Sequence, residues 1–122
     1  MFMRVAVAVS GRGSNLEALL EALDDGREAQ VVLVLSNRAD APALERARRR
    51  GIAAAVLADP SSASEWLDLL DRHAAELLVL AGYLKLVPTG VIARYRGRVL
   101  NVHPALLPAF GGSGMYGHRV HE

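Results

Sequence analysis

The chain has 122 residues, 52% hydrophobic and 22% charged, with a formal net charge of +1 and no cysteine. That length and apolar share suit one small domain with its own core and exclude intrinsic disorder. The lack of cysteine excludes disulfides and thiolate metal sites, and the near-neutral charge with 5% aromatic residues gives no electrostatic or stacking argument for nucleic acid.

Arg4 to Val9 is a β-branched apolar run without polar alternation, which predicts a strand buried on both faces of a parallel sheet. Ser10-Gly11-Arg12-Gly13-Ser14-Asn15 follows at once. Leu16, Leu19, Leu20 and Leu23 then fall on one helical stripe, with Gly26 as its C-terminal stop. Val31 to Leu35 predicts a second strand, closed by Ser36-Asn37. Asp40 stands where it would cap a helix over Ala41 to Arg50, with Pro42 in the first turn and Gly51 at the end. Arg46, Arg48, Arg49 and Arg50 suit the dipole of its last turns and read as a solvated face.

Ala53 to Leu57 predicts a third strand. Ser62 and Glu65 have capping-box spacing ahead of a helix that runs through Ala75. Within it Trp66 reads as packing and His73 as a helix-end residue without a role. Leu77 to Ala81 predicts a fourth strand, and Gly82-Tyr83-Leu84-Lys85-Leu86-Val87 the loop at its C-terminal end, with Tyr83 read as packing. Pro88 opens a short helix towards Tyr95, Gly97 leads into a fifth strand from Arg98 to Val102, and Tyr116 to Glu122 reads as the opening turns of a further helix. The alternation predicts right-handed crossovers and an α/β fold: a Rossmann-like open, mostly parallel sheet with helices on both faces, residues 1–122 forming a single domain. No apolar run reaches the roughly 18 residues of a membrane span, and the N-terminus lacks a basic-then-apolar signal pattern. A cytoplasmic location is the expectation by elimination.

Two stretches could carry chemistry. Ser10 to Asn15 lies between the first strand and the first helix, where glycines allow close approach and a helix N-terminus offers free N–H groups to an anion. The functional reading is a phosphate cradle; the bland one is a tight turn with a Ser or Asn cap. It lacks the Gly-Lys-Ser/Thr of a triphosphatase loop. It also lacks the third glycine of a dinucleotide fingerprint, and Asn37 stands where that fingerprint wants an acidic residue. The second stretch is Leu100-Asn101-Val102-His103-Pro104-Ala105-Leu106-Leu107-Pro108. Asn101 and His103 are two apart at a strand's end, so in extended backbone they share a face. An Asn amide can hold a tetrahedral oxyanion, and a His can carry the proton of an attacking amine. The bland alternative is an Asn satisfying a loop and a His in a turn. His118 and His121 are spaced i, i+3 and could be imagined with His103 as a metal site; such a pair reads as surface, and no metal is expected.

Four segments, Val7 to Leu16, Ser36 to Ala41, Leu80 to Leu86 and Leu100 to Pro108, resemble the phosphoribosylglycinamide formyltransferase family of the folate-dependent formyltransferase superfamily. The Asn-x-His-Pro-Ser/Ala-Leu-Leu-Pro motif is shared across that superfamily. The Ser-Gly-x-Gly-Ser-Asn motif singles out its purine-pathway member. The resemblance implies transfer of a formyl group from 10-formyltetrahydrofolate to the amino group of glycinamide ribonucleotide, without a metal. It assigns Gly13, Ser14 and Asn15 to the substrate phosphate, and Leu84, Lys85, Leu86 and Val87, with Asn101, to the folate. It further assigns Asn101 to the formyl oxygen and His103 to proton transfer.

Lys85 stands where many relatives have Arg. No Arg occurs between Asp59 and Asp71, where many relatives place one against the folate. The glycine-rich Phe110 to Gly117 segment resembles one of the family's variants. The family's catalytic Asp lies downstream of the histidine loop, beyond these residues, so residues 1–122 are expected to be the N-terminal portion of the formyltransferase fold, cut after the Asn–His loop. An edge left open by that cut would favour self-association, and a homodimer is compatible with the sequence. A formyltetrahydrofolate hydrolase and a methionyl-tRNA formyltransferase share the Asn–His loop. The hydrolase usually carries a regulatory domain ahead of the first strand, which this chain enters at Arg4, and the tRNA enzyme needs a second, basic domain. A non-catalytic nucleotide-phosphate-binding module is the alternative from a different class.

Overall fold

The computed structural model describes residues 2–11, 13–23, 28–102 and 117–119. The elements run β1 (Met3–Val9), α1 (Ser14–Ala22), β2 (Ala29–Ser36), α2 (Pro42–Arg49), β3 (Ala53–Val56), α3 (Ala63–Arg72), β4 (Leu77–Ala81), α4 (Thr89–Arg94), β5 (Val99–Val102) and β6 (Gly117–Arg119). They form one sheet in the order β3-β2-β1-β4-β5-β6. The first five strands pair parallel. The expected α/β fold is therefore the observed one.

One element departs from expectation. The helix expected over Tyr116 to Glu122 is replaced, at Gly117–Arg119, by a strand antiparallel to β5, with Leu100 opposite Arg119 and Val102 opposite Gly117. The stretch has a single aliphatic residue, Val120, and so no stripe to bury as a helix. The open N–H and C=O groups along β5 give its backbone another partner.

The strands sort their side chains to two faces by simple alternation. Val5, Val7 and Val9 of β1 pack with Leu16 and Leu20 of α1 and Leu44 and Ala47 of α2. Ala6 and Ala8 face the other way, into a cluster with Trp66 and Leu70 of α3 and Val91 of α4. The small alanines lie on the face that takes the largest side chain. Trp66 is fully buried, and its indole N–H donates to the Pro60 carbonyl at 2.9 Å, satisfying its one polar group. Trp66 is thus packing, as expected, and His73 ends α3, its carbonyl accepting the Arg4 guanidinium at 3.0 Å.

The first four helices form where the sequence places them, with α3 ending at Arg72 rather than Ala75, but the expected capping holds only in part. Ser62 caps α3, its hydroxyl accepting the Glu65 N–H at 3.2 Å, a contact of about 1 kcal/mol. Glu65 does not close the box. Its carboxylate instead accepts the N–H groups of Ala58 at 2.6 Å and Asp59 at 2.7 Å, bracing the turn after β3. Asp40 does not cap α2; Ala41 holds that position without a side-chain bond. The Asp40 carboxylate is engaged by Arg38 at 3.2 Å, which also lowers its pKa. Gly51 ends α2 as expected, the Ile52 N–H returning to the Ala47 carbonyl at 2.9 Å. The arginines of α2 are not all idle on a solvated face: Arg46 and Arg50 reach Glu17 of α1 at 3.3 and 3.0 Å and tie the two helices together. The expected stop at Gly26 lies outside the described residues.

Candidate active site

From β1 the chain winds outward through β2 and β3, then returns to the other side of β1 as β4. The connection after β1 leads to α1 on one face, and the connection after β4 leads to α4 on the opposite face. Loops that diverge from neighbouring strand ends open a crevice between them, which is where sheets of this type bind ligands. The two loops flanking it are Ser10 to Asn15 and Gly82 to Val87.

Gly13 begins α1 with φ of 94°. A Cβ at that position would sit 2.9 Å from the Ala43 Cα. Only glycine allows both this left-handed turn and the close approach of α2. Gly13 supplies no side-chain cap, so among the described residues the first-turn N–H groups are left to an anion. Ser14 is exposed there and Asn15 is buried. Glu17 would oppose an anion in this first turn, but its charge is offset by Arg46 and Arg50.

The second loop is stitched to the first. The Ser10 N–H donates to the Gly82 carbonyl at 3.3 Å. The Leu84 N–H donates to the Ser10 hydroxyl at 2.8 Å, and that hydroxyl donates to Asn37 Oδ1 at 2.8 Å. Gly82 has φ of 76°, and a Cβ there would lie 3.2 Å from Asn15 Nδ2, so the amide expected to meet phosphate packs on the backbone of the other loop. Tyr83 turns inward, edge-on to Trp66 with ring centroids 5.4 Å apart. Its hydroxyl is buried without a hydrogen-bond partner among the described residues, and that burial pushes the phenol pKa up.

Leu84 and Leu86 project outward, 84% and 92% exposed. Lys85 between them is exposed as well, and Val87 is half-buried against the α3–α4 core. Asn101 lies in β5 opposite Leu80 of β4, half-buried, and alternation puts it on the same face as Val99. His103, two residues on, lies outside the described residues, as does Arg12.

Thus Gly13, Ser14 and Asn15 stand at one side of the crevice, Leu84 to Val87 at the other, and Asn101 on the next strand beyond β4. Among the described residues no group of three or more His, Asp or Glu is placed to hold a metal. His118 lies in a strand rather than at a helix start, and His121 lies outside the described residues. Among the described residues no helix is long and apolar enough to cross a membrane.

Ser10 is read from sequence only as the start of the Ser10 to Asn15 stretch, and neither Asn37 nor Gly82 is assigned a role in the site. Their signal is the register of the sheet. Val9 pairs with Ser36, and Ala8 with Leu80, so the residues just past those strand ends fall side by side.

Residues 3–121 match the formyl transferase family. The chain belongs to that family. It is 42% identical to the chloroplastic phosphoribosylglycinamide formyltransferase of Arabidopsis thaliana, the match covering 98% of this chain and 44% of that protein. It is 38% identical to the phosphoribosylglycinamide formyltransferase of Escherichia coli (strain K12), covering 96% of this chain and 58% of that one. The chain spans about half the length of these curated relatives. Its fold superposes on glycinamide ribonucleotide transformylase 1 from Symbiobacterium toebii with a TM-score of 0.76 and 41% identity, covering 91% of this chain and 56% of that one. The phosphoribosylglycinamide formyltransferase of Brucella melitensis gives a TM-score of 0.78 and 39% identity over 92% of this chain and 62% of that one. The formyl transferase fold expected from the four motif segments is thus shown by the match over residues 3–121 and by these superpositions.

Proposed function

We propose that the protein carrying these residues transfers a formyl group from 10-formyltetrahydrofolate to the amino group of glycinamide ribonucleotide, and that residues 1–122 are the N-terminal portion of its catalytic domain. The observation that carries this is the pairing of an uncapped helix N-terminus at Gly13 with the Gly82 to Val87 loop across one crevice. Gly13, Ser14 and Asn15 take the substrate phosphate on backbone N–H groups and polar side chains. Leu84, Lys85, Leu86 and Val87 take the folate; the outward-facing Leu84 and Leu86 offer apolar surface to a flat heterocycle. Asn101 donates to the formyl oxygen.

In the transfer the amine lone pair attacks the formyl carbon, and negative charge develops on the formyl oxygen, which the Asn101 amide stabilises. The bond from the formyl carbon to the folate nitrogen then breaks. His103 takes the proton lost by the amine and returns one to the departing nitrogen. No metal enters these steps. A cytoplasmic location and a homodimeric assembly belong to the same proposal and are checked by fractionation and sedimentation.

The test is a product assay on the protein at its natural full length. Formylated glycinamide ribonucleotide is expected when donor and amine are both supplied, with no formate when the amine is omitted. Rapid formate release without the amine would replace the proposal with a formyltetrahydrofolate hydrolase. Binding of the nucleotide without turnover would replace it with a phosphate-binding module.

A further inference from the structure

We infer that Ser10, oriented by Asn37, is a positioning residue that sets the donor loop against the acceptor's phosphate cradle. The inference rests on the proposed function and adds a residue to it. Ser10 is 2% exposed, and its hydroxyl is used in both directions. It donates to Asn37 Oδ1 at 2.8 Å and accepts the Leu84 N–H at 2.8 Å. Donation to Asn37 turns the hydroxyl lone pairs towards Leu84, so the first bond fixes the second. Asn37 stands in a turn that is itself held, since the Arg38 N–H donates to the buried Ser36 hydroxyl at 3.0 Å.

The exposed stretch Leu84 to Leu86 has little apolar anchorage of its own. What ties its start to the rest of the site is the Ser10 N–H on the Gly82 carbonyl, the Ser10 hydroxyl under the Leu84 N–H, and Tyr83 on Trp66. Ser10 makes two of these three ties, and it is also the first residue of the phosphate loop. Group transfer needs donor and acceptor within a few tenths of an ångström of their reacting geometry, and a misplacement of about 1 Å costs on the order of a hundredfold. Among the described residues Ser10 bonds directly to the start of the other loop, and these two loops set this distance.

Ser10→Ala removes the hydroxyl tie to Leu84, and with it the bond to Asn37, with little change in volume, and leaves the backbone bond to the Gly82 carbonyl in place. In the full-length protein we expect the donor KM to rise about tenfold and kcat to fall about tenfold or more, with the acceptor KM unchanged within about twofold. Asn37→Ala should reproduce this split, whereas Asn37→Asp, which keeps an acceptor for the hydroxyl, should retain most of the activity. A merely structural residue would lower the melting temperature without separating the two KM values. A second measurement needs no substrate: hydrogen exchange at the Leu84 amide is expected to speed up about tenfold in Ser10→Ala. Should Ser10→Ala fail to fold, Asn37→Ala carries both measurements. If the unaltered protein transfers formyl groups and the folded variants keep its donor KM and kcat, the positioning role is overturned while the proposed function stands. If Leu84 exchange is unchanged, the link itself is overturned. If the unaltered protein shows no transfer, the proposed function fails, and this role fails with it whatever Leu84 does.

Discussion

Asn101→Ala is expected to lower kcat for formyl transfer by about 10²–10³-fold while leaving the fold intact. Removing one preorganised donor from a developing oxyanion costs about 2.7–4 kcal/mol of transition-state stabilisation. Asn101 suits that role by its position. It lies in β5 opposite Leu80, so ladder bonds on both sides fix its backbone. Its side chain is only half-buried, and the substitution should change the unfolding free energy by less than about 1 kcal/mol. Asn101→Asp should not rescue activity, because a carboxylate opposes the charge that the amide stabilises. His103→Ala should cost about 10²–10⁴-fold through loss of the proton carrier, with the nucleotide still bound. Steady-state kinetics with both substrates varied checks these values. Either alanine variant retaining full kcat would remove its residue from the mechanism.

Gly13→Ala is expected to destabilise the fold by about 2–5 kcal/mol. Two costs add. An L-residue at φ of 94° carries backbone strain of about 1–2 kcal/mol. The new methyl would also lie 2.9 Å from the Ala43 Cα, a backbone atom that moves only if the start of α2 shifts, and overpacking of this kind costs about 1–3 kcal/mol. Arg46 Cδ is as close but belongs to a flexible side chain. Urea unfolding of both proteins gives the difference. A loss below about 0.5 kcal/mol would mean that neither the turn nor the helix contact is as tight as described.

The strands that form the site were legible because their signal is compositional. Leu77–Ala81 is the predicted fourth strand to the residue, and β1 and β5 shift by one at a single end. Runs buried on both faces must be apolar throughout, and nothing nearby competes with that requirement. Side-chain capping was less legible. Asp40 and Glu65 both have the right spacing to cap, but a carboxylate bonds to whichever donor lies closest. For Asp40 that is the Arg38 guanidinium; for Glu65 it is a pair of N–H groups in the preceding turn. The strand at Gly117–Arg119 was missed because its stabilisation comes from pairing with β5, across fifteen or more residues of chain, and not from its own composition. The Ser10 to Asn15 loop stands out as a contiguous motif. The Ser10–Asn37 bond joins residues 27 apart and becomes visible only once the parallel register of β1 and β2 is known.

The crevice between β1 and β4 as a phosphate-bearing acceptor site is tested most directly by calorimetric titration of the full-length protein. Glycinamide ribonucleotide is compared with the same compound lacking its phosphate. Charge-assisted hydrogen bonds to backbone N–H groups contribute about 1.5–3 kcal/mol each, so the phosphorylated ligand should bind at least about a hundredfold more tightly. Replacing Gly13 should erase most of that difference. Equal affinities for the two ligands would contradict the cradle, and with it the assignment of Gly13, Ser14 and Asn15.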